Sequence, residues 1–133
     1  MSIITKTDAE IDLMREPCAI VRDTLAFVGE RISAGMSTKE VDELVERFIR
    51  AAGAYPSCLG YGGFPASACV SVNEVVVHGI PDDKTILKDG DIVSVDLCAY
   101  KNGFHGDAAR TFLIGNVSEE KRLLVERTKE CFF

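Results

Sequence analysis

The sequence has no run of lysine and arginine, no long hydrophobic stretch and no CxxC pair. The first absence matters together with the net charge of −6, from 15 basic and 21 acidic residues. No basic footprint is present for tight binding to DNA or RNA, though weak contact with RNA-containing machinery stays open. No segment approaches the roughly 20 apolar residues of a membrane span. The N-terminus MSIITKTDAE lacks the basic-then-apolar pattern of a signal peptide. The expectation is a cytoplasmic protein with no membrane partner. Cys18, Cys58, Cys69, Cys98 and Cys131 are odd in number and widely spaced. That disfavours a disulfide framework or a zinc module and favours buried thiols. Internal repeats and low-complexity segments are also lacking.

What is present suits one domain: 133 residues, 47% of them hydrophobic. Thr7-Asp8-Ala9-Glu10 fits a capping box, and Ile11, Met14, Cys18, Val21, Leu25, Val28 and Ile32 follow at helical spacing. Pro17 should kink that helix or leave carbonyls near Leu13 unpaired. Ser37-Thr38-Lys39-Glu40 is a second capping box, ahead of Val41, Leu44, Val45, Phe48 and Ile49. Gly53 is placed to stop this second helix. Strand candidates follow at 54–59, where Pro56 suggests an edge, at Ala66 to Val72, and at Val75 to His78. Ser118 can cap a last helix carrying Leu123 and Leu124, which ends at Cys131-Phe132-Phe133 with apolar surface awaiting a partner. The order reads as α+β with a largely antiparallel sheet.

The stretch Ile92 to Ile114 looks like two strands around a turn at Lys101-Asn102-Gly103, with one aspartate in each. A loop at Lys101-Asn102 puts Asp96 opposite Asp107, and a loop at Asn102-Gly103 puts them on a diagonal. In both registers the carboxylates share a face; a three-residue loop without a bulge would separate them. Directly opposed Cβ atoms are about 5 Å apart, and like charges there repel. Such a pair needs a shared proton, a cation or a metal, unless both carboxylates simply face solvent.

Other residues carry weaker signals. His78 sits in VVVHGIP, where a lone histidine is more often structural than catalytic. His105 shares the face of Asp107 in a regular strand. Tyr61 and Phe64 lie in a glycine-rich loop, GYGGFP, that has neither the GxGxxG spacing nor a Walker lysine. Cys58 and Cys69 flank it; packing explains them more simply than nucleophilic catalysis.

Taken together, SCLGYGGFPAS, SVNEVVVHGIPDD and LKDGDIVSVDLCAYKNGFHGDAARTF resemble type I methionine aminopeptidases of the bacterial kind. The resemblance runs from the first helix to about Ile114. It implies the N-terminal half of a pita-bread fold, in which two related α+β halves enclose a dinuclear metal site. Residues 1–133 would then be a single, incomplete metallopeptidase domain, its first pseudo-repeat. By the same resemblance, Asp96 chelates one divalent ion and Asp107 bridges both, the ions being Co, Mn, Fe or Zn. His78 is similar to the histidine that positions substrate and stabilises the transition state. Cys58, Tyr61, Phe64 and Cys69 match the lining of the methionine pocket. Asn73 and Val75 match positions whose backbone carbonyls hold a monovalent cation. The implied reaction is removal of the initiator methionine before a small second residue. The implied partners are Met-Xaa peptides, the missing C-terminal half or a second copy, and the ribosome.

The departures set the expected limits. Three of the family's five metal ligands and its other catalytic histidine lie in a second half, so the 133 residues alone are expected to bind metal weakly and hydrolyse little. Pro17 is unusual for the first helix, and Gly62 stands where some members carry a histidine. A non-catalytic peptide-binding remnant of the same fold is the alternative. Prolidases and aminopeptidase P fit less well, because they carry an added N-terminal domain while the helical pattern here begins close to Met1.

Overall fold

The computed structural model describes residues 4–132; Met1 and Phe133, on which two of the expectations above touch, lie outside them. Both capping boxes form. The Thr7 hydroxyl accepts from the Glu10 amide and the Glu10 carboxylate accepts from the Thr7 amide at 2.7 Å, starting α1 (Asp8–Gly29). Ser37 and Glu40 repeat the arrangement at the start of α2 (Thr38–Ala51). Gly53, with φ at +70°, takes the left-handed conformation that ends α2.

α1 continues through Pro17 as one helix. Pro17 is buried where the sheet crosses it, and Gly106 makes the crossing possible: a Cβ there would collide with the Pro17 carbonyl group and the Cys18 nitrogen. The apolar stripe is only half used. Val21, Leu25 and Val28 are buried, whereas Ile11 and Cys18 are exposed. The turn of the hairpin meets α1 at Glu16, through Asn102 and a 2.8 Å ion pair with Lys101, so residues ahead of Glu16 overhang the sheet.

The sheet is built on β3 (Ile92–Lys101). One edge of β3 pairs with β4 (Phe104–Leu113); the other pairs with β1 (Tyr55–Pro56) and β2 (Ala68–Val72), all antiparallel. Val93, Val95, Leu97 and Ala99 alternate toward the helices and are fully buried against Val21, Val28, Val41, Val45 and Ile49. That clean alternation is what one helix-covered face and one open face require. Asn102 and Gly103, at φ +55° and +85°, form the two-residue turn of the primed type that matches strand twist.

Val75 to His78 is not a strand. Val76 is 84% exposed, and His78 has φ at +58°, which breaks extended backbone. The segment follows the outer edge of β2 as a loop, touching it through the Val70 amide to the Gly79 carbonyl (2.9 Å) and the Gly79 amide to the Ser71 hydroxyl (3.1 Å). α3 (Glu119–Phe132) buries none of its described residues; Ser118 caps it and Lys121 ties it to the Gly90 carbonyl at 2.7 Å.

A carboxylate pair on the open sheet face

The Asn102-Gly103 turn selects the diagonal register. Cys98 faces Asp107, Asp96 faces Ala109, and Cys69 of β2 faces Asp96 from the other side. Asp96, Cys98, Asp107 and Cys69 therefore share the face turned away from the helices. Diagonal neighbours of this kind lie roughly 7 Å apart along the backbone, which puts both carboxylates within reach of a common cation.

The electrostatics show a site under tension. Burial, and then the charge of Asp107, push the Asp96 carboxyl above its ordinary range, while the nearby His78 pulls the other way. Among the described residues no hydrogen bond or ion pair satisfies the Asp96 carboxylate. Burial, with the negative charges around it, raises the Cys69 thiol to about 11, so it stays neutral. Cys98 is held protonated by its contact with Cys58, by burial and by Asp107, and Cys58, facing that thiol, falls to about 7.

His78 reaches the pair from the loop along β2. Its left-handed backbone is held in place by Gly79, where a Cβ would collide with the Val70 carbonyl. Of the sequence-predicted lining residues, Cys58 and Cys69 surround the carboxylates. Phe64 is half-buried, while Tyr61 stands 82% exposed in a single 3-10 turn at Tyr61–Gly63. Asn73 and Val75 lie at the turn after β2. The Asn73 side chain is already committed to Asp91 (2.8 Å), the Ile92 amide (3.2 Å) and Lys121 (2.9 Å). Any cation there would have to use backbone carbonyls. No group of three or more His, Cys, Asp or Glu side chains converges as a metal cage among the described residues.

Two features escaped the sequence reading. Cys98 lies directly across from Asp107. Ser57 bonds His105 Nδ1 at 2.8 Å, with the Tyr100 and His105 rings 4.8 Å apart. Cys98 against Asp107 and Tyr100 against His105 follow from register arithmetic once the turn is placed at Asn102-Gly103, while the Ser57 bond also needs β1 paired with β3.

Comparison with known proteins gives a consistent picture. The model of Metallopeptidase family M24 matches residues 12–132. A methionine aminopeptidase of Clostridium acetobutylicum is 51% identical over 98% of this chain and 52% of its own length. Methionine aminopeptidase 1 of Bacillus subtilis is 50% identical with the same coverage. The chain thus spans about half the length of these curated relatives. Among solved structures, methionine aminopeptidase from Thermotoga maritima superposes with a TM-score of 0.94 at 40% identity, over 97% of this chain and 52% of that one. The prolidase of Pyrococcus furiosus reaches 0.77 at 26% identity, over 92% and 35%.

Proposed function

The chain belongs to metallopeptidase family M24, and on that premise we propose that it supplies the first half of an aminopeptidase site that removes N-terminal methionine. Its fold is the α+β half of the pita-bread architecture, with antiparallel sheet and N-terminal helices. The carrying observation is the placement of Asp96 and Asp107 on one open face beside His78.

The donor set fits hard divalent cations. Two carboxylates with like charge share a face, and Asp96 lacks any other hydrogen-bond or ion-pair partner among the described residues. Asp96 would hold one ion and Asp107 both; of the ions Co, Mn, Fe and Zn, carboxylate oxygen suits Mn best. Bound ions would supply Lewis acidity and an acidified water. The remaining ligands would come from the second half that the curated relatives possess in length.

The chain's own residues do the rest. His78 positions the substrate amide and hydrogen-bonds the oxygen on which charge develops. Cys58, Cys69, Tyr61 and Phe64 line one side of the methionine pocket; sulfur and aromatic carbon suit a thioether. The backbone carbonyls of Asn73 and Val75 would hold a monovalent cation, at the start of the loop leading to His78. Substrates are Met-Xaa N-termini with a small second residue, met on nascent chains at the ribosome in the cytoplasm.

The test is reconstitution. The chain is mixed with a separately expressed C-terminal half of the Bacillus subtilis relative and Mn²⁺ or Co²⁺, and Met-Ala-Ser cleavage is followed. Methionine release that disappears in Asp107→Ala is the expected result. No release from a demonstrably assembled complex would leave a peptide- or protein-binding module instead.

A further inference from the structure

α3 buries none of its described residues, and a groove of about 440 Å³, lined by Asn73, Glu74, Ile92, Glu120, Lys121 and Leu124, lies between it and the end of β2. Lys121 crosses that gap. Its ammonium donates to Asn73 Oδ1 at 2.9 Å and to the Gly90 carbonyl at 2.7 Å. It pairs with no carboxylate among the described residues, so its charge goes into two bonds to neutral oxygens. Each is stronger than a bond between neutral groups.

Asn73 is where the chain leaves the sheet. Its backbone is left-handed, with φ at +50°, a conformation that asparagine adopts more readily than most residues. The side chain fixes it there: Oδ1 also accepts the Ile92 amide at 3.2 Å, and Nδ2 donates to Asp91 at 2.8 Å. The Val75 amide bonds the Val72 carbonyl at 3.1 Å, and beyond it no backbone hydrogen bond holds residues 76–78 among the described residues. The chain is next fixed at Gly79, on Val70 and Ser71. His78 is therefore carried by a short loop held at its two ends. β2 sets the Gly79 end, and α3 helps to set the Asn73 end.

We infer that Lys121 is a positioning residue for His78: its ammonium holds the left-handed turn at Asn73, and that turn sets the path of the loop carrying the imidazole. The consequence for catalysis rests on the peptidase reading; the link between α3 and the loop does not.

The experiment uses the full chain. It holds two histidines, His78 and His105, so isotope-labelled histidine gives two imidazole Cε1–H signals in nuclear magnetic resonance, assigned with His105→Gln. Lys121→Met keeps the aliphatic stem and removes the donors, whereas Lys121→Arg keeps charge and donors. At one fixed pH, Lys121→Met is expected to move or broaden the His78 signal and leave His105 in place. Hydrogen exchange at the Val75 amide should quicken several-fold while the buried Val95 amide keeps its rate. Lys121→Arg returns both toward wild type, and Lys129→Met, on the same helix, changes neither. Should Lys121→Met fail to fold by circular dichroism, Lys121→Gln is read the same way. In the reconstituted enzyme the substitution lowers kcat several-fold with KM and metal content held. An unmoved His78 signal in the folded variant, or both histidine signals shifted alike, overturns the proposal. A silent wild-type complex would instead overturn the peptidase reading, and the histidine signals would still decide the link.

Discussion

Asp107 lies directly across from Cys98, which sets its carboxylate on the diagonal from Asp96. The separation leaves room for a bridging cation and leaves Asp96 partly buried beside a like charge.

That tension gives a pH dependence. The folded-state pKa of Asp96 is raised, by burial first and by Asp107 second. An acid raised on folding opposes stability when ionised. The penalty is full above the folded pKa and vanishes below the unfolded value of about 4. Asp96→Asn should therefore raise the thermal midpoint of the metal-free chain at neutral pH, with the advantage fading as pH falls through the carboxylate range. The same substitution should reduce the shift in midpoint produced by Mn²⁺. Thermal melts at several pH values, with and without Mn²⁺, check both.

Asp42 predicts the opposite outcome. It is 1% exposed and accepts from the Ser67 and Ala68 amides at 2.8 and 2.9 Å, with Lys39 at 3.2 Å. It thereby joins α2 to the start of β2. Asp42→Ala strands two buried amides and should cost about 2–4 kcal/mol in urea unfolding.

Gly79 and Gly106 are required for close approach rather than for left-handed backbone. A Cβ at Gly79 would collide with the Val70 carbonyl, and one at Gly106 with the backbone at Pro17. Each alanine substitution should destabilise by about 1–3 kcal/mol. Gly79→Ala should also displace His78 and lower activity of the reconstituted enzyme beyond the stability loss, whereas Gly106→Ala should not.

His78→Ala in the reconstituted enzyme should lower kcat by about 10²-fold, the scale expected for loss of one positioned donor, while metal content stays unchanged. Steady-state kinetics alongside metal analysis separates this role from metal binding.

Much of this was legible in sequence for physical reasons. Both capping boxes are local, with the two partners three residues apart, so Thr7–Glu10 and Ser37–Glu40 could be read directly. The hairpin was legible too, because Asn-Gly tolerates the two positive φ angles of a tight turn. Its register was not, since either turn placement kept both aspartates on one face. Val75 to His78 misled because three valines signal a strand, whereas their exposure and the φ of His78 depend on what β2 offers along its edge. The overhang of α1 was hidden as well: periodicity marks an apolar stripe but not where the sheet beneath it stops.

The most direct test of the central claim is metal stoichiometry in the assembled complex of this chain with a C-terminal half. Two divalent ions are expected per wild-type complex, about one in Asp96→Asn and fewer than one in Asp107→Ala, the outcome if Asp107 were a ligand to both ions. Two tightly held ions in the Asp107→Ala complex would contradict the claim.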